Sequence, residues 1–541
     1  MKLFNKTLVS VLFAGIILFG CDGSYDSLVD SNADRNPIPD TEVEATAGSA
    51  DFSNYIAIGN SLTAGFMDGA LYNNGQQNSL AALISKQLEY TGAPETFNQP
   101  DINSVNGYNT QVNEEDGPVL GRFKLDTSIP GPSPTINGDE IEPYSGDASS
   151  LNNFGVPGIQ VGQLLTSDTG NPDSPAFNPF YARFASAPGS SFILEDAISS
   201  NPTFFSLWIG SNDVLGYALG GATNPAILTD PSDFEQRFGA VMNTLMSQTE
   251  AQGIVANIPP LLAIPIFQAV PYNVINISES QANSLNGVPA LRDFNEALDL
   301  IIENGHDPQD AERRRVVLEG GPNPILFVDP GLDDLTDQFD ELEQQGEISE
   351  TQRERIEQYV QARPMAVVDG VGPEIVLFTA AQVLGTGSPG TQIGIVVPLP
   401  AQFVLTAENI VEIETARAQF NGIIEGVVAS ANSEGERVAF YDANAENSAF
   451  LEIFGMDGSR PGIRVDGTFL EPDFSPNGVF STDGVHPNQR GNAILANEFL
   501  RVMEEVFDAQ IPRVDVLNQP GVSLCTDDEA YDPCVSQQGG S

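Results

Sequence analysis

The sequence predicts an α/β fold built on a parallel, doubly wound sheet. Three observations carry that expectation. Short apolar runs end in glycine and small polar residues, as in Tyr55-Ile56-Ala57-Ile58-Gly59-Asn60-Ser61 and Phe204-Phe205-Ser206-Leu207-Trp208-Ile209-Gly210. That is the habit of strands buried on both faces. Helical patterns separate such runs, and alternation of strands with helices implies parallel crossovers. Hydrophobic residues make up 41% of 541 positions. This is ample for one large α/β domain with insertions, or for about two or three ordinary domains.

Met1 to Gly20 reads as a secretion signal. Lys2 and Lys6 precede an apolar run from Leu8 to Phe19, too short to span a membrane. Its end, Leu18-Phe19-Gly20-Cys21, resembles the bacterial lipobox. The resemblance implies cleavage before Cys21 and lipid attached to its sulfur, holding the protein on a membrane. The alternative is an ordinary secretion signal with an incidental cysteine. Residues 21–50 are rich in Asp, Ser, Asn, Pro and Ala without apolar periodicity and read as a disordered tether. About thirty such residues reach roughly 30 Å.

The main domain is expected over 51–515. The strand at Tyr55–Gly59 opens it. A helix follows through Leu83, Ile84 and Leu88 to a stop near Gly92. Residues 99–149 form a long Gly-, Pro- and Asn-rich excursion, a length that marks function or mobility. Asn153-Phe154-Gly155-Val156-Pro157-Gly158 closes a short strand with a glycine turn, and the strand ending at Gly210 repeats the opening pattern. Ser232-x-x-Glu235 reads as a capping box for a helix bearing Phe238, Val241, Met242 and Leu245. The next strand is Gly253–Pro259. Residues 272–398 break the rhythm with charged helical patterns and read as an insertion capping the sheet edge. A helix then begins at Thr406, a strand follows at 437–442, and a last helix covers about Gln489–Phe507. Residues 516–541 form a polar tail.

Charge excludes one class of partner. Net charge is −52, from 74 acidic and 22 basic residues, and nucleic-acid binding requires a cationic footprint. Such an excess with little lysine resembles salt-adapted proteins, in which ions screen the repulsion; a calcium-rich surface is the alternative. Of the three cysteines, Cys525 and Cys534 are expected to pair in an oxidising compartment. The absence of Cys-x-x-Cys or His–Cys spacing argues against structural zinc, and no cofactor is expected.

The chemistry concentrates at two distant places. Ser61 ends the first strand run, at the carboxyl edge where ligands bind in open α/β sheets, although a serine in a Gly-Asn-Ser turn is commonly only a cap. The chain has two histidines. His306 sits in a polar turn and reads as a solvated loop residue. His486 follows Asp483 by three positions before the last helix, a spacing that lets the carboxylate orient one ring nitrogen and leave the other free to accept a proton. The rival reading is helix-cap chemistry with an incidental histidine.

Four stretches in order, Gly59-Asn60-Ser61-Leu62, Asn153 with Gly158, Gly210-Ser211-Asn212-Asp213, and Asp483-x-x-His486, resemble the signature blocks of the GDSL, or SGNH, hydrolases. The resemblance implies a flavodoxin-like three-layer α/β/α fold and hydrolysis of esters. It makes Ser61 the nucleophile, His486 the general base and Asp483 its orienting acid. The N–H groups of Ser61 and Gly158 and the Asn212 amide would hold the oxyanion. One departure stands out: the family's aspartate beside the serine is Asn60 here. The expected protein is a serine ester hydrolase anchored on the extracytoplasmic side of the bacterial envelope, at the outer membrane or cell surface. Its substrate would be a small-molecule, lipid or acylated-glycan ester. The second hypothesis is a surface-anchored binding or assembly lipoprotein that kept the fold and lost turnover.

Overall fold

The computed structural model describes residues 44–109, 119–126, 132–136, 138–433 and 435–525. They form two compact units, one comprising the described residues up to Ile209 with Gln236–Pro259 and those from Ile424 onward, the other Gly210–Glu235 with Pro260–Ile423.

The first unit is organised by a parallel sheet of β1 (Tyr55–Gly59), β2 (Asn153–Gly155), β3 (Phe204–Trp208), β4 (Gln252–Ala256) and β5 (Val438–Tyr441). Their spatial order is β2-β1-β3-β4-β5. Every pairing is parallel, as the flavodoxin-like arrangement requires. Residues of β1 and β3 are buried throughout, which is why their sequences are apolar runs rather than alternations. The order reverses at β1, with Gly59 registered against Gly155 of β2 and Trp208 of β3. The carboxyl ends of these three strands therefore form the switch point where such sheets bind ligands.

Helices α1 (Ser61–Ala64), α2 (Leu80–Leu88), α3 (Asn212–Leu219), α4 (Pro231–Gln248), α5 (Pro289–Glu303), α6 (Ala407–Ala431) and α7 (Gln489–Phe507) punctuate the chain. The sheet, flanked by helices, is the three-layer α/β/α fold of the SGNH type. Helix α7 buries nearly its whole length. Its Phe499 ring lies 5.4 Å from Trp208 and 5.2 Å from Tyr441, so the last helix closes the core over β3 and β5. Ser79 caps α2, accepting from Ala82 N–H at 3.1 Å. The cap of α4 is Asp230, not Ser232: its Oδ1 accepts from Ser232 N–H at 2.8 Å. Pro231 takes the first helical position, where its missing N–H costs nothing.

Two sequence boundaries move. The domain is entered at Thr46 rather than Asp51, since Thr46 and Gln510 exchange backbone hydrogen bonds of 3.0 and 2.8 Å. Within the polar tail, Leu524–Cys525 runs parallel to the strand Leu120–Asp126 of the excursion, which also pairs antiparallel with Pro132–Ile136.

The second unit has its own core. Phe294 of α5 stacks on Tyr359 at 4.7 Å amid Leu291, Leu298, Ile301 and Phe339, all buried. Beside the expected helices stand antiparallel pairs of two or three residues, such as Leu326–Val328 with Ala362–Pro364. Arg363 is buried between two carboxylates, with Nε 2.6 Å from Asp329 and Nη2 2.5 Å from Glu374.

Candidate active site

Ser61 is the first residue of α1 and 8% exposed. Asn60 caps that one-turn helix, its Oδ1 accepting from Leu62 N–H at 3.2 Å. Asparagine thus caps the helix as an aspartate could, without adding a charge. Gly59 is required by close approach, for a Cβ there would meet Thr63 Oγ1 at 2.2 Å and the Trp208 carbonyl oxygen at 2.5 Å.

The second half of the site is the loop Ser481–His486. Ser481 N–H donates to the His486 carbonyl at 2.7 Å and Gly484 N–H to that of Ser481 at 2.9 Å. Asn488 pins the exit. It caps α7, accepting from Arg490 and Gly491 N–H, and its amide donates to the Phe480 carbonyl at 3.0 Å.

These halves meet. His486 Nε2 lies 2.8 Å from Ser61 Oγ, and His486 Nδ1 lies 2.8 Å from Asp483 Oδ2. All three residues belong to the first unit. Asp483 is saturated with donors: Oδ1 accepts from Ser481 Oγ, Val485 N–H and His486 N–H, each at 2.9 Å. Oδ2 also accepts from Gly69 N–H at 2.9 Å. Burial alone would raise this carboxyl, but the His486 charge and these hydrogen bonds outweigh it and bring it down to about 2. The acid therefore stays ionised and fixes the imidazole with Nδ1 as donor and Nε2 facing the hydroxyl. The Phe66 ring stands 5.2 Å from the imidazole, covering one side of it.

Gly158 lies three residues past β2 in an exposed turn with φ of 80°. Asn178 holds that turn by donating to the Pro157 carbonyl at 2.8 Å. Asn153 ties β2 to the serine's helix, its amide donating to the Thr63 carbonyl at 2.9 Å. Among the described residues, the N–H groups of Ser61 and Gly158 have no protein acceptor, so each can donate to a ligand oxygen. Asn212 opens α3, four residues past β3, in the segment Gly210–Glu235 of the second unit.

Residues 55–318 match the family model described as GDSL-like Lipase/Acylhydrolase. This stretch carries the domain of the GDSL/SGNH hydrolase family. Neither curated proteins nor solved structures gave a match. The family match contains Ser61, Gly158 and Asn212 and stops well before Asp483. Folding is what brings the last signature block of this GDSL hydrolase to its serine. The match supports hydrolysis of ester or acyl groups in general.

His306 departs from the sequence reading. It is not a solvated loop residue: Nε2 lies 2.8 Å from Asp310 Oδ2, to which Arg314 also donates at 2.7 Å. It belongs to an ion cluster at the start of a helix in the second unit. Among the described residues no group of three His, Cys, Asp or Glu side chains could hold a metal ion. Cys21 and Cys534 lie outside the described residues, and of Cys525 only the backbone is described. The residues that sequence reasoning missed are Asp68, Gly69 and Ser481, which contact the acid or its loop. Only the turn dipeptide Asp68-Gly69 carried any signal.

Proposed function

We propose that this GDSL hydrolase is a serine carboxylic-ester hydrolase working through an acyl-enzyme. The observation that carries the reading is the continuous relay Ser61 Oγ–His486 Nε2 and His486 Nδ1–Asp483 Oδ2, both links 2.8 Å. A serine hydroxyl attacks at neutral pH only with a base beside it. Nε2 takes the hydroxyl proton as Oγ bonds to the ester carbonyl carbon. The carbonyl oxygen becomes an oxyanion, held by the N–H groups of Ser61 and Gly158. Each such donor is typically worth about 3–4 kcal/mol. The imidazolium returns its proton to the departing alcohol, leaving an ester on Ser61. Water, activated by the same Nε2, then releases the acid. An acceptor alcohol in a dry pocket would turn the last step into acyl transfer.

The substrate is a lipid, glycan or small-molecule ester. Lipid on Cys21 anchors the protein to the extracytoplasmic side of the cell envelope. The test is turnover of p-nitrophenyl esters of graded acyl length beside acetylated glycans, with Ser61→Ala and His486→Ala as controls. Both variants should fold and lose turnover, and a fluorophosphonate should label the wild type but not Ser61→Ala. Turnover retained in either variant overturns the triad, and a wild type that neither turns over esters nor labels overturns the reading in favour of a binding protein.

A further inference from the structure

Two features that cost stability meet in one turn beside the triad. Asp68 and Gly69 both have positive φ, 55° and 71°. Positive φ is natural for glycine but strained for aspartate, by roughly 1–3 kcal/mol. A Cβ on Gly69 would also meet the Phe123 ring at 2.5 Å. In addition, Asp68 is a carboxylate set near another carboxylate. Burial pushes it upward from the usual range and the charge of Asp483 adds to this, while hydrogen bonds from Tyr72 and Thr482 pull the other way. Strain and a covered charge in one place call for a function.

The contacts say what that function is. Asp68 Oδ1 accepts from Thr482 N–H at 2.9 Å and from Thr482 Oγ1 at 2.7 Å. Its Oδ2 accepts from Tyr72 Oη at 2.6 Å. Asp68 N–H donates to Ser481 Oγ at 3.0 Å, and that hydroxyl donates onward to Asp483 Oδ1 at 2.9 Å. The next N–H, that of Gly69, donates to Asp483 Oδ2. The turn itself is held from behind, where Phe123 N–H donates to the Asp68 carbonyl at 2.6 Å. The loop carrying the acid is thus gripped by side chain and main chain of one dipeptide.

We propose that Asp68 is a positioning residue for the triad: its carboxylate holds Thr482 so that Gly69 N–H and Ser481 Oγ fix Asp483, and through it the tautomer and aim of His486. This rests on the hydrolase reading above. Asp68 touches no reacting atom. Its loss shifts the acid loop, and a displacement of about 1 Å at a catalytic group costs about 10²-fold in rate.

The experiment compares Asp68→Ala with Asp68→Asn in the full chain. Asp68→Ala should lower kcat on p-nitrophenyl acetate roughly 10- to 100-fold with KM changed less than about 3-fold. Asp68→Asn should recover to within about 5-fold of wild type, because an amide oxygen can still accept both Thr482 hydrogen bonds. A second readout needs no turnover. The His486 Nδ1–H proton should give a low-field NMR resonance, assigned by its survival in His306→Gln. It should broaden in Asp68→Ala and persist in Asp68→Asn. Should Asp68→Ala fail to fold, Thr482→Val replaces it, with the same directions and a smaller effect. A folded Asp68→Ala or Thr482→Val with wild-type kcat and resonance overturns the proposal. If the wild type neither turns over esters nor labels, the hydrolase reading falls, and the resonance alone still decides whether Asp68 braces the loop.

Discussion

Replacing Asp483 by asparagine tests the relay where it is most constrained. Oδ1 of Asp483 sits where three donors converge, the Ser481 hydroxyl and the N–H groups of Val485 and His486. Asparagine keeps its oxygen there, which puts the amide nitrogen opposite Gly69 N–H and His486 Nδ1. Two donors cannot bond one another, so the imidazole must present Nδ1 as acceptor and carry its proton on Nε2. That proton then points at the Ser61 hydroxyl, and the base is in the wrong tautomer. The electrostatic part of the loss follows from the carboxyl's fall from 3.8 to about 2. At about 1.4 kcal/mol per unit this is at most about 2–3 kcal/mol, or roughly 10- to 100-fold. Adding the tautomer brings the expected loss to about 10⁴-fold in kcat, the scale of the same change in other Ser-His-Asp triads. The assay is p-nitrophenyl acetate turnover at neutral pH with kcat and KM separated, alongside a thermal melt. There is also a pH signature. The folded carboxyl lies below its unfolded value, so its stabilisation is present above about pH 4 and fades as pH falls through about 2. The variant should lack that part of the acid limb of the melting curve. A folded Asp483→Asn with kcat within tenfold of wild type would refute the tautomer argument.

Two further outcomes are expected. Arg363→Met should destabilise the second unit by about 3–5 kcal/mol, since it leaves Glu374 and Asp329 charged and buried without their shared partner; urea unfolding reads it, and an unchanged midpoint counts against the argument. Cys21→Ser should abolish labelling by radioactive palmitate in a bacterial host and release the protein from the membrane pellet, whereas continued labelling would remove the proposed anchor.

What the sequence made legible is whatever has a local cause. The strands of the central sheet were readable because burial on both faces demands apolar runs, and Gly59 marked the turn because no Cβ fits against Trp208. Asp483 and His486 were readable as a pair because three residues of one loop suffice to join them. The α4 cap was misassigned for a local reason too, since Pro231 takes the first helical position and moves the cap two residues back, from Ser232 to Asp230. The short strand pairs of the second unit left no trace, because two or three residues cannot display a period. His306 was misjudged because its partner, Asp310, is recognisable only once the helix that carries it is in place. The brace at Asp68 lies furthest from sequence reasoning. Asp68 and Ser481 are 413 positions apart, and two of the bonds that matter come from main-chain N–H groups, which every residue but proline owns. A nucleophile and a base announce themselves by side-chain type, whereas the geometry that holds them is made largely of backbone. A site of this kind is therefore named from its residues and can be explained only from its fold.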